Sequence, residues 1–217
     1  MRIQKFIYSR NGRLLWGFLL LTLLTASCAK DTDDEWDPFY NWQARNAAWY
    51  EEIADSARTA IAGAKAQYGD QWADHCAWRM YRSLQRSEHI GGPLEDSVCV
   101  HIIQRGTGTV SPLFTDVANV SFQGWLMSTE YKGPHNTMIK SPAMFTQTFV
   151  GEYDPQTAIP QSMAVSSTVE GFGTALQYMV TGDVWDVYIP QQLAYGEKSS
   201  SAIPAYSTLR FRIYLVE

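Results

Sequence analysis

Strict alternation in Leu209-Arg210-Phe211-Arg212-Ile213-Tyr214-Leu215 constrains this chain more than any other feature. Successive strand residues point to opposite faces, so Leu209, Phe211, Ile213 and Leu215 share one side and Arg210, Arg212 and Tyr214 the other. Such a strand belongs to an antiparallel sheet with one face that another layer must cover. Val184-Trp185-Asp186-Val187-Tyr188-Ile189 alternates in the same way, as do residues 98–103 and 117–124. Phe172, Ala175, Leu176 and Met179 step at helical intervals toward Gly182, which supplies a short covering helix. The expectation is an α+β domain over residues 95–217, an antiparallel sheet wrapped on a short helix.

Upstream, the period is helical. Ala47, Tyr50, Ala54, Ala57, Ile61 and Ala64 recur at three- and four-residue steps, Asn41 or Asp37 can cap, and Gly69-Asp70 makes a break. A second helix is expected from Gln71 to Arg86, with Trp72, Cys76, Arg79 and Met80 on one face. Residues 38–90 thus read as a helical segment closed by Gly91-Gly92-Pro93. Its many aromatics suit packing against the rest of the chain, and a dimer seam through these helices is the alternative.

The start of the chain reads as an address. Arg2, Lys5, Arg10 and Arg13 precede the apolar run Leu14–Leu24, and Thr25-Ala26-Ser27 leads to Cys28. A basic start, an apolar core of 11 residues and small residues before a break describe a secretory leader over residues 1–27. A membrane-spanning helix needs about 20 apolar residues. The small residues before Cys28 resemble a bacterial lipobox, which implies cleavage before Cys28 and lipidation of its sulfur; ordinary secretion with a plain thiol is the other reading. Without residues 1–27 the chain carries −9 over 190 residues. The acids gather in Lys30-Asp31-Thr32-Asp33-Asp34-Glu35, so residues 28–37 read as a solvated spacer. It also looks like the acidic export signals of Bacteroidetes lipoproteins. Together these place the protein at the cell envelope, tied to the outer membrane by lipid, with a surface-exposed location as the further option. An acidic chain is a poor nucleic-acid binder. Cys76 and Cys99 would meet a compartment that permits a disulfide, and the sequence leaves their pairing open.

No nucleophilic, metal or cofactor site stands out. His75, His89, His101 and His135 are scattered, and Tyr195-Gly196-Glu197-Lys198 lacks the rest of a phosphate loop. Ser166-Ser167 and Ser199-Ser200-Ser201 read as loop composition.

Residues 169–217 have a more specific pattern. Val169-Glu170-Gly171-Phe172, Ala175-Leu176, Gly182-Asp183, Trp185, Ile189-Pro190, Leu193-Ala194-Tyr195-Gly196, Ile203-Pro204 and Ser207-Thr208-Leu209 precede Phe211. Their order and spacing resemble the C-terminal half of FKBP-type peptidyl-prolyl isomerases. Upstream, Val120-Ser121-Phe122-Gln123-Gly124 and Phe145-Thr146 extend the resemblance to about residues 95–217, and the leader and spacer resemble lipidated members from the Bacteroidetes. The resemblance implies an FKBP-like fold and isomerase activity on proline-containing polypeptides, without cofactor or metal. It also implies a groove. Val169 stands for the backbone donor, Phe172 for the floor beneath the proline ring, and Tyr195 for the hydroxyl that binds a carbonyl. Ile203, Phe211 and Phe145 stand for apolar walls. Phe122 replaces the family's usual Tyr, Thr146 its usual Asp, and Phe172 its usual Trp, while Gln161 or Met163 falls where an aromatic wall is expected. The insert Trp125–Met144 is expected to form an extra hairpin or a flap. The alternative function is a non-catalytic module of the same fold that holds a peptide or protein partner.

Overall fold

The computed structural model describes residues 37–86, 92–132, 137–200 and 202–216. The expected leader, Cys28, the expected spacer up to residue 36, His89 and His135 lie outside these residues. Pro38–Glu217 forms one compact unit, so the Gly91-Gly92-Pro93 linker does not separate two packed bodies.

Helix α1 spans Trp42–Tyr68. Nine of its residues are alanine, the strongest helix former. Asn41 enters it with φ 50°, and Gly69, with φ 55°, donates its N–H to Lys65 O at the end. The buried stripe is Trp42, Asn46, Tyr50, Ala54, Ala57 and Ala64. Ala47, expected on that face, is exposed, and the polar Asn46 takes the inward position.

The expected second helix is corrected by the structure. A turn at Gly69–Gln71 leads to a four-residue helix α2, Trp72–His75, and the chain then becomes strand β1, Trp78–Arg82. The steps 72, 76, 79, 80 suit a helix, but Trp78 and Met80 also alternate with Arg79 and Tyr81. Pairing with the next strand, Trp78 opposite His101 and Tyr81 opposite Val98, decides between the two.

The remaining elements are β2 (Ser97–Gln104), β3 (Val117–Lys132), β4 (Met138–Gln147), β5 (Gln161–Ala164), α3 (Glu170–Leu176), β6 (Val184–Ile189) and β7 (Leu209–Leu215). Among the described residues they form a seven-stranded sheet in the order β1-β2-β6-β7-β3-β4, with β5 also on β3. Every pairing is antiparallel. The two alternating segments, 184–189 and 209–215, are strands over their whole expected lengths, and β7 buries Leu209, Phe211, Ile213 and Leu215 as its pattern requires.

Helix α3 lies on the apolar face, where Phe172, Ala175 and Leu176 meet Val98, Ile189 and Leu209 in the main core. The approach is close enough that a Cβ on Gly171 would collide with Ile189 Cγ2. On the other face, α1 covers part of the sheet: Tyr50 and Ala54 pack on Cys99, with Met80 and Tyr188 alongside. Cys76 and Cys99 are both buried and both free thiols. Farther along this face Asp186, 4% exposed, accepts from Arg212 at 2.7 Å and Arg210 at 2.8 Å. Burial alone would raise this carboxyl, but Arg212 and Arg210 together hold it below its ordinary value.

Of the aromatics of α1, Trp42 and Tyr50 are buried within the chain. Residues 125–132 and 138–144 of the insert continue β3 and β4 as paired antiparallel strands, with irregular register between Gly124 and Ser128.

Candidate functional site

A hollow of about 450 Å³ opens between α3, the adjoining ends of β3 and β4, β5 and the loop after Ile189. Phe172 forms its floor because it sits on the first turn of α3, facing the sheet. Phe211 meets Phe172 edge to face at 5.0 Å and 84°. Phe122 stands edge-on to both, 5.6 Å from Phe172 and 6.1 Å from Phe211. Phe145 closes the cluster at 5.4 Å from Phe211. Edge-to-face packing satisfies the ring quadrupoles and holds each ring in place. Gly124 is essential to this arrangement: a Cβ there would lie 2.7 Å from Thr146 Cγ2, 2.8 Å from Phe211 Cε1 and 2.9 Å from Phe145 Cζ.

The rim is polar but carries no carboxylate, amine or imidazole among the described lining residues. Thr168 Oγ1 donates to Val165 O at 2.8 Å, and Ser167 Oγ to Ala164 O at 2.8 Å, so both hydroxyl protons are engaged locally. Tyr195 is 39% exposed on the opposite rim. Among the described residues its hydroxyl has no hydrogen-bond partner in the protein. Val169 precedes α3, where a backbone N–H has no intrahelical acceptor. The loop around Tyr195 is fixed by its own backbone: Gly196 N–H donates to Gln191 O at 2.9 Å and Tyr206 N–H to Gly196 O at 2.8 Å. Gly196 has φ 60°, a conformation glycine adopts at little cost. Ser200 and Ile203 exchange backbone bonds, which turns Ile203 inward as a buried wall.

All eight groove residues singled out in the sequence, Phe122, Phe145, Thr146, Val169, Phe172, Tyr195, Ile203 and Phe211, line this one hollow. Of the two candidates for the remaining wall, Met163 lines it, whereas Gln161 is exposed on β5. Ser167 and Thr168 complete the rim and were not foreseen; their signal was their place just before Val169. No described residue of the insert 125–144 lines the hollow.

A larger hollow of about 770 Å³ lies elsewhere, lined in part by Gln123, Tyr153, Asp183, Arg212 and Tyr214. Two of its charged groups, Arg212 and Asp183, already serve the fold. Arg212 is paired with Asp186, and Asp183 accepts the N–H groups of Gly106 at 2.7 Å and Val180 at 2.8 Å.

The sequence pattern of the family described as FKBP-type peptidyl-prolyl cis-trans isomerase matches residues 112–216. Residues 112–216 are an FKBP-type domain. The FKBP-type 22 kDa peptidyl-prolyl cis-trans isomerase of Escherichia coli (strain K12) is 42% identical over 59 residues, 27% of this chain and 29% of that protein. The outer membrane protein MIP of Legionella longbeachae is 40% identical over 58 residues, 26% of this chain and 25% of that protein. This chain therefore spans less than a third of either relative. The crystal structure of FkpA from Escherichia coli superposes with a TM-score of 0.45 at 18% identity, covering 97% of this chain and 83% of that one. The hollow lies within the FKBP-type domain, while α1, β1 and β2 precede the matched residues.

Proposed function

We propose that the hollow is the active site of a peptidyl-prolyl cis-trans isomerase acting on proline-containing polypeptides. The observation that carries this reading is the meeting of Phe122, Phe145, Phe172, Ile203 and Phe211 around one hollow of about 450 Å³, with Tyr195 and Val169 also lining it. The relative named as an isomerase shares part of this sequence, and the family match covers the whole site.

The chemistry suits a site without acid, base or nucleophile. Rotation about a peptide bond crosses a barrier of about 18–20 kcal/mol because amide resonance must be lost. Uncatalysed X-Pro exchange takes on the order of tens of seconds. A catalyst need only bind the twisted amide better than either planar form. The twisted amide has less charge separation, so it loses less on entering a dry aromatic hollow than the planar forms do. Phe172 and Phe211 receive the pyrrolidine ring, and Tyr195 and Val169 hold flanking carbonyls. No covalent bond is made or broken.

The envelope setting belongs to the same proposal. The leader-like residues 1–27, Cys28 and the acidic spacer support lipid anchorage and work on exported chains, and one relative is named an outer membrane protein. A second reading, a peptide-holding module without catalysis, is favoured by Phe122 and Thr146, which put a ring and a methyl-bearing hydroxyl where the family usually has a phenol and a carboxylate.

A proline-limited refolding assay separates the two. The expected result is faster refolding of a reporter protein in proportion to added enzyme. Absence of acceleration, with retained binding of a proline-containing peptide, would reject catalysis and leave the second reading.

A further inference from the structure

The two ligand-facing donors of the proposed site sit on different loops. Val169 leads into α3, and Tyr195 follows the turn Gln191–Leu193. Catalysis on one amide requires both to be held at a fixed separation, and a single side chain from outside the FKBP-type domain joins them. Arg86 Nε donates to Glu170 Oε1 at 2.8 Å and its Nη2 to Oε2 at 2.9 Å, a two-point grip on the residue that follows Val169. The same Nη2 donates to Gln192 O at 3.0 Å, in the turn that precedes Tyr195. Behind it Ser83 Oγ donates to Glu170 Oε1 at 2.6 Å, and Ser83 N–H to Asp96 O at 2.8 Å, which fixes this segment to the base of β2.

The geometry points to Arg86 as a positioning residue: through Glu170 and Gln192 it holds the Val169 amide in register with the Tyr195 hydroxyl. A planar guanidinium can grip a carboxylate at two points and still reach a carbonyl, whereas an ammonium offers a point charge. Glu170 also gains from its place in the first turn of α3, where the helix favours negative charge. The Arg86 side chain is 38% exposed and that of Glu170 21%, so solvent screens the pair and its contribution to global stability is small. Its effect is local, on the spacing of two loops across the mouth of the hollow.

This inference rests on the isomerase reading, so the test has one readout that needs no activity. Arg86→Ala, Arg86→Lys and Glu170→Gln are made in the full chain, with Glu170→Gln as the second route if Arg86→Ala does not fold. Amide hydrogen exchange is followed at residues 168–172 and 194–197, with β6 as the internal reference, beside kcat and KM on a proline-containing tetrapeptide. The expected result is exchange faster by about tenfold at both loops but unchanged in β6. In parallel kcat falls by about fivefold with KM nearly constant, because donor placement matters most at the twisted amide. Arg86→Lys recovers part of both effects. Unchanged exchange at both loops overturns the inference. So does an equal rise throughout the sheet, which is a stability effect alone. An inactive wild-type protein overturns the isomerase reading instead, and the exchange pattern still decides whether Arg86 ties the loops.

Discussion

The indole Nε1–H of Trp42 donates to Ser207 Oγ over 2.9 Å, so the first turn of α1 grips the loop that carries Ile203 into the hollow. One turn later Asn46, 1% exposed, accepts the Thr208 N–H at 2.9 Å and donates to Trp42 O at 2.8 Å. Ser207 in turn donates to Pro204 O at 2.6 Å. A helix outside the FKBP-type domain thereby braces one wall of the site.

Asn46→Ala should destabilise the protein by about 1–3 kcal/mol, because it leaves the buried Thr208 N–H without an acceptor. Urea unfolding should show a lower midpoint at constant m-value. Trp42→Phe keeps most of the buried ring and should cost about 1 kcal/mol, the net worth of one hydrogen bond.

Tyr195→Phe should leave the melting temperature within a degree or two of the parent, since the ring is partly exposed and its hydroxyl has no protein partner among the described residues. Isomerase kcat/KM should fall by about threefold to tenfold, the worth of one hydrogen bond to a substrate carbonyl. An unchanged kcat/KM would remove Tyr195 from the reaction.

Gly124→Ala should injure the site and the fold together. The new Cβ must displace Thr146, Phe145 or Phe211, all lining residues, and overpacking of this kind costs about 1–3 kcal/mol. Peptide affinity, measured by fluorescence titration under conditions where the variant stays folded, should weaken as well. Retained affinity would show that the walls move aside freely.

Alkali should weaken the docking of α1 on the sheet. Burial, the largest cause, pushes the Cys99 thiol up from 9.0 to about 11. Burial likewise raises the Tyr50 phenol well above its ordinary value, helped by Cys99 beside it. Both groups keep their protons longer in the folded protein than in the unfolded chain, so stability is full below the unfolded values and falls as pH rises. The melting temperature should hold to about pH 8.5 and decline from about pH 9 upward. Cys99→Val should reduce the slope between pH 9 and 11 by removing the thiol's share.

Much of this was legible in the sequence for identifiable reasons. β6 and β7 were readable because a half-buried strand needs nothing beyond its own alternation. The groove was readable because Phe122, Phe145, Phe172, Tyr195, Ile203 and Phe211 carry a joint spacing that no single ring carries. β1 was not, because a five-residue run with Trp78 and Met80 suits helix and strand alike until β2 supplies the partner. Asn46 was hidden for a related reason: a polar side chain is acceptable on a buried stripe only where a partner waits, and Thr208 lies 162 residues away. Arg86 belongs with it, since Glu170 is 84 residues downstream.

Strand β7 lies between β6 and β3, so among the described residues it alone joins the β1-β2-β6 half of the sheet to the β3-β4-β5 half by a strand ladder. While Leu209–Leu215 is still to be synthesised, the two halves have no shared ladder, and the rings of Phe122 and Phe172 lack Phe211 to complete their cluster. A proposed helper of other chains' slow folding steps must itself wait for Leu209–Leu215, far downstream of β2 and β3, before its sheet can close.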